Sequence, residues 1–231
     1  MTYDELVTAV TDYTENTVPT GTMNTFIQQA EQRIYNTVQF PSLRKNVTGA
    51  TTSGNKYVSC PSDFLSTFSL AVVDADGAYE YLLNKDVNFI RQAYPNPNDQ
   101  ATPKYYALFG PTTTSGDTPE ITNELSFILG PTPDAAYTVE LHYYYYPTSI
   151  VDSADGHTWL GDNFDSVLFY GTLVEAYTYM KGEQDMMALY NTKYQEALGL
   201  AKRLGDGLER SDAYRSGQFR SPPLPRNNGV A

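Results

Sequence analysis

The chain has 231 residues, of which 27 are acidic and 15 basic, giving a formal net charge of −12. That length suits one large domain or two small ones at roughly 100–200 residues per domain, and so acidic a surface repels nucleic acid phosphate and anionic membranes. No apolar run approaches the ~20 residues of a membrane helix, and the start, MTYDELVTAV, is expected to carry no signal peptide, since it lacks a basic and an apolar region.

TYDELVTAVTDY opens with a capping box, in which Thr2 can cap a helix and Glu5 can reach back to the Thr2 amide. Tyr3, Leu6, Val7, Val10 and Tyr13 fall on one helical stripe. TENTVPTGT interrupts it at Pro19 and Gly21. A second helix is predicted over MNTFIQQAEQRIYNTV, where Met23, Phe26, Ile27, Ala30, Ile34 and Val38 keep the 3.6-residue period, and Pro41 ends it.

From Leu43 to Ile150 short β-prone runs alternate with turn signals. DADG and TPDAA read as hairpin turns, KDVNFIRQAY reads as one interrupting helix, and GPTTTSGDTPE as a flexible loop. The run VELHYYYYPTSI places four tyrosines side by side, Tyr143 to Tyr146. In a strand Val139, Leu141, Tyr143 and Tyr145 share one face, and Glu140, His142, Tyr144 and Tyr146 the other. The first can be a core face. The second presents large aromatics that either pack under a loop of the same chain or meet a second subunit. With twenty tyrosines and ten phenylalanines in the chain, the interface reading is favoured, because tyrosine combines contact area with a polar tip.

Helical periodicity returns at Trp159. DNFDSVLFYGTLVEAYTYMKG, with Asp162 or Asn163 as N-cap, is apolar almost all round, which predicts a central helix. Gly182 ends it. EQDMMALYNTKYQEALGLAKRL is its antiparallel partner, given the short connection. After Leu204 the pattern stops, and GDGLERSDAYRSGQFRSPPLPRNNGVA is expected to form no core of its own. The predicted fold class is therefore α+β: a helical bundle built from both terminal helix pairs (1–42 and 158–204), an inserted antiparallel β domain (43–157) and an extended, flexible C-terminal arm (205–231).

The residues point away from catalysis. His142, His157 and the single Cys60 form no HExxH, CxxC, GxSxG, Walker or dinucleotide pattern. A lone cysteine excludes an intrachain disulfide and suits a reducing compartment. DADG resembles the start of a calcium loop, but Lys85 stands where the bidentate glutamate belongs. His142 on a tyrosine-rich strand reads as packed or interfacial, and His157 in DSADGHTW as a solvated loop residue. Glu175 inside an apolar helix is either an inter-subunit salt-bridge partner or an acid that reaches water between helices. No catalytic residue, metal or cofactor is expected.

The order of motifs resembles the head-to-tail adaptor (head-completion, or connector) proteins of tailed bacteriophages, mainly short-tailed ones. CPSDFL (Cys60–Leu65) is similar to that family's P-x-D-F, and TPKYYALFG (Thr102–Gly110) to its P-x-x-Y-x-x-x-G strand. GPTPDAAYTVELHYYYYP (Gly130–Pro147) is similar to its P-x-P-D-x-x-Y-x-x-x-L-x-Y-Y-x-x-P hairpin. The segment from Trp159 to Leu198 resembles its closing helix pair, although Phe164 stands before Asp165 where the family often has proline. The resemblance implies a structural virion protein. It would assemble in the host cytoplasm into a homo-oligomeric, dodecameric ring that docks on the portal protein at the head–tail interface. The ring would extend the DNA channel without binding DNA specifically and would carry tail or nozzle proteins, with no role for membranes. Tyr144, Tyr146 and Glu175 are then the inter-subunit candidates. The arm, through Arg215, Phe219, Arg220, Leu224 and Arg226, is the portal-binding candidate. The competing readings are a carbohydrate-binding virion or tail-tip module, in which tyrosines stack on sugars, and a hydrolase around His142 or His157.

Overall fold

The structure, a computed structural model, describes residues 1–215 except Ala75, Pro97, Pro111, 114–120 and Glu124; for 112–113, 121–123 and 205–215 it describes the backbone alone. The class is α+β, and the chain divides into two compact units. One is Met1–Pro41 together with the chain from Thr148 on; the other is Ser42–Pro147.

In the helical unit, α1 (Tyr3–Thr14) is started by the predicted capping box, with Thr2 and Glu5 exchanging hydrogen bonds at 3.2 and 2.9 Å. It buries Leu6 and Val10. Helix α2 (Thr20–Thr37) begins ahead of the predicted Met23 because the carbonyl of the N-cap residue Pro19 accepts from the amides of Thr22 and Met23 at 2.9 and 3.0 Å, and Gly21 is absorbed into that turn. A short helix α4 (Trp159–Asn163) precedes α5 (Asp165–Met180). Asp162 and Asn163 are therefore not the N-cap of the long helix. Thr158 caps α4 through Gly161, and Phe164 forms the junction. As predicted, α5 is central: it packs against α1, α2, α4 and α6. Helix α6 (Gln184–Arg215) runs on beyond Leu204. The glycines at 205 and 207 weaken a helix by about 1 kcal/mol each, but adding residues to a nucleated helix needs no new nucleus.

In the second unit, β1 (Arg44–Ala50), β10 (Thr138–Tyr144), β3 (Ser66–Val73) and β4 (Tyr79–Tyr81) form one sheet in the order β1-β10-β3-β4. The other, β2-β9-β6-β5, contains β2 (Tyr57–Ser59), β9 (Ser126–Gly130), β6 (Tyr105–Phe109) and β5 (Leu83–Asn84). All pairs in these sheets are antiparallel except β5 with β6. A small antiparallel pair joins β7 (Thr112–Thr113) to β8 (Ile121–Asn123). The inner faces of the two sheets meet through Leu70, Val72, Val139 and Leu141 on one side and Tyr106, Phe127 and Leu129 on the other. On the outer face of the second sheet lies α3 (Val87–Ala93), capped by Asp86, with Ile90 packed on Ala107 and Ile128. That two-sided cover is why every residue of β9 is buried.

DADG is the hairpin turn expected of it: the Asp74 carboxylate accepts from the amides of Asp76 and Ala78 at 2.9 and 2.8 Å, and Gly77 supplies a positive φ of 82°. TPDAA is not a hairpin turn. Its flanking strands β9 and β10 lie in different sheets, and it and the residue after it bond to the β1–β2 connection instead, Gly54 N to Pro133 O at 2.8 Å and Thr51 N to Tyr137 O at 2.9 Å.

Candidate docking faces

The tyrosine run is split by strand geometry as the alternation predicts. Tyr143 points into the sandwich. Its hydroxyl donates to Asp63 at 2.8 Å, and Lys45 donates to the same carboxylate at 2.6 Å. Burial works against the Asp63 charge, but these two donors hold its carboxyl below the usual range. Tyr144 lies on the outer face of the first sheet, edge to face with Phe68 at 6.0 Å. The Arg44 guanidinium sits 5.0 Å from the Phe68 ring centre and 5.8 Å from that of Tyr144, a cation–π arrangement. The strand ends at Tyr144, so Tyr145 and Tyr146 lie past it; Tyr145 turns its amide to Leu43 O at 2.9 Å, and Tyr146 is exposed.

Further along the same face Glu140 gathers three donors. Asn46 donates at 2.8 Å, His142 Nε2 lies 3.1 Å away, and the Tyr79 hydroxyl donates as well. The Tyr79 bond, followed by that of Asn46, holds the Glu140 carboxyl below its ordinary range and pushes the Tyr79 phenol up. Tyr79 and Tyr81 stack 6.5 Å apart beside a cavity of about 170 Å³. The sequence reading singled out His142 but missed Ser69, whose Oγ is 3.1 Å from His142 Nδ1. Ser69, His142 and Glu140 thus stand in the order of a nucleophile, a base and an orienting acid. Ser69 and His142 are direct neighbours in the β3–β10 ladder, where backbone amides serve the sheet and not a developing oxyanion, usually the largest contribution to such catalysis.

The α3 face of this unit carries two cations beside aromatic rings, together with the Asp86 carboxylate that accepts from the Asn88 amide at 2.7 Å. Lys85 Nζ lies 5.4 Å from the ring centre of Phe89, and Arg91 Cζ 5.8 Å from that of Phe109. Cys60 borders an apolar groove of about 260 Å³ between β1 and β2, and burial pushes its thiol up to about 12, which keeps it protonated and inert.

In the helical unit Glu175 accepts from Arg33 of the same chain. The buried acid that sequence reasoning missed is Glu31. It is 3% exposed and accepts from the Ile150 amide at 2.9 Å. His157 pairs with Asp162 at 3.0 Å, and that bond raises its pKa. Arg215 closes α6. Phe219, Arg220, Leu224 and Arg226 lie outside the described residues. Among the described residues no group of three or more His, Cys, Asp or Glu side chains could hold a metal ion, and no helix is long and apolar enough to cross a membrane.

Residues 1–221 match the sequence profile of the SU10 adaptor protein family. The chain belongs to the SU10 adaptor protein family. The adaptor is thus a structural phage protein, a component of the virion, as the order of its motifs led us to expect. No curated protein matches the chain.

Proposed function

We propose that the adaptor forms a dodecameric ring that docks on the portal, continues the DNA channel and gives tail or nozzle proteins their attachment platform. The observation that carries this reading is the family match over residues 1–221. The rest is consistent with it. A net charge of −12 lets DNA pass without adhering. The first sheet keeps Tyr79 and Tyr81 largely exposed, as an interface would need. Tyr144, Tyr146 and Glu175 contribute to contacts between copies. The helices from both ends of the chain close one bundle, and the protein assembles in the host cytoplasm.

The segment from Arg215 on is the portal-binding element. Phe219 and Leu224 are its apolar anchors, its prolines pre-extend the chain, and Arg215, Arg220 and Arg226 pair with acids on the portal. The test is truncation after Tyr214, followed by sedimentation with portal-bearing heads. The reading expects a folded protein that no longer co-sediments; co-sedimentation at full strength would remove the arm from the account.

A second reading rests on the stacked Tyr79 and Tyr81 beside Glu140 and His142. Aromatic rings flanked by hydrogen-bonding groups are what a carbohydrate-binding module presents. Saturable binding of bacterial surface polysaccharide, lost in Tyr81→Ala, would favour it.

A further inference from the structure

The Ser42–Pro147 unit presents two exposed aromatic faces on opposite sides of its sandwich, and they differ in charge. The outer face of the first sheet carries Tyr79 and Tyr81, 55% and 63% exposed, around the Glu140 carboxylate. The adjoining β3–β4 turn adds Asp74 and Asp76, both exposed. Among the described residues the one lysine or arginine of that face, Arg44, is four ladder positions away from Glu140 along β10 and is held against Phe68 and Tyr144. The α3 side of the second sheet carries Phe89 and Phe109, 41% and 48% exposed, each with a cation over its ring, Lys85 and Arg91. Neither cation is in an ion pair with a described residue. Contiguous exposed aromatics call for a partner where scattered ones do not.

We propose that these two faces are the halves of one interface: the Tyr79–Tyr81–Glu140 face of one copy packs on the Lys85–Phe89–Arg91–Phe109 face of the next. The occupant of each face is a second copy of this chain, and charge decides the pairing. Two copies of the tyrosine face would bring Glu140 and the Asp74–Asp76 turn against their own like, and two copies of the α3 face would oppose four cations, which the two Asp86 carboxylates that cap α3 offset only in part. Face to back, the carboxylates meet the lysine and arginine, and rings meet rings. Like-charge juxtaposition suppresses the wrong pairings and sets register. An interface between two different patches is heterologous. Repeated, it yields a closed ring where the rotation closes, whereas a patch that pairs with itself stops at a dimer. The inference rests on the ring reading and adds to it which surfaces close the ring.

The test uses the full-length chain with Tyr81→p-benzoylphenylalanine. Equal amounts of 15N-labelled and unlabelled chains are loaded on portal-bearing heads, irradiated and analysed by mass spectrometry. The expected product is a mixed-label cross-link between the peptide bearing position 81 and the peptide spanning Lys85–Arg91. It should be lost when the same chain also carries Lys85→Glu and Arg91→Glu. Those substitutions are exposed, and an unchanged circular dichroism spectrum checks the fold. A second probe at Tyr79 should give the same pair if the first substitution perturbs β4. Cross-links within one chain, to another segment, to another virion protein, or none at all on loaded heads, would overturn this face assignment and leave the ring reading standing. Failure of the unmodified chain to load on heads would overturn both.

Discussion

The Glu31 carboxylate, buried in α2, accepts the backbone amide of Ile150 at 2.9 Å. This bond helps fasten the segment that re-enters the helical unit. Gln28 on the same helix adds a contact to Asp152 at 3.4 Å. Burial raises the Glu31 pKa, Ser149 and Ile150 counteract it, and Asp152 adds to it.

The sign of the pH dependence follows. A carboxyl whose folded pKa is raised contributes stability that is present below its unfolded pKa and lost as pH rises through the folded value. Glu31→Gln keeps an acceptor for the amide and removes the charge. Its melting temperature should exceed that of the unmodified protein at neutral pH and converge with it in acid. Glu31→Ala leaves the amide without its partner and should cost about 1–3 kcal/mol. Thermal denaturation across pH checks both; a Gln variant less stable at neutral pH would show that the charge itself is needed.

Gly171 sits where α5 meets α2 and α6. A Cβ there would stand 3.2 Å from Tyr194 Cε2 and 3.3 Å from Ala30 Cβ. Gly171→Leu should therefore overpack the junction and destabilise by roughly 1–3 kcal/mol or more. Gly171→Ala, for which the Tyr194 ring and Ala30 need give by only a few tenths of an ångström, should be far milder. An unchanged melting temperature in the leucine variant would refute the close approach.

Tyr143→Phe removes one of the two donors that hold Asp63 ionised. Because Asp63 is partly exposed, the expected loss is about 1 kcal/mol. A carboxyl with a lowered folded pKa contributes stability present above its unfolded pKa and lost as pH falls. The variant's urea midpoint should accordingly fall less steeply than the unmodified protein's on acidification. Parallel curves would mean that Lys45 alone sets the Asp63 charge.

Much of the local structure was legible because its causes are local. The Thr2–Glu5 box, the DADG turn, the helix in KDVNFIRQAY and the in–out alternation of β10 each depend on a few adjacent residues. TPDAA shows the limit: its turn chemistry is real, but which strand β10 pairs with is decided by β1 and β3, far away in sequence. The end of α6 was misjudged because loss of apolar period says where packing stops, not where hydrogen bonding does. Glu31 could have been found, since it is four residues after Ile27 and three before Ile34 on the buried stripe of α2. Ser69 could not, because its approach to His142 needs the register of β3 on β10.

The acidic surface predicts indifference to DNA. In filter binding at physiological salt, double-stranded DNA should be retained no better by the adaptor than by a neutral control protein. Retention that weakens steeply with added salt, the mark of phosphate contacts, would contradict a channel that DNA crosses freely.

The central claim is the ring at the portal vertex, and its most direct measurement is electron cryomicroscopy of portal-bearing heads with and without the adaptor. The account predicts a closed ring of added density beneath the portal, its bore continuous with the portal channel. Heads that gain no density at that vertex, or adaptor found as a knob at the far tip of the tail, would contradict it.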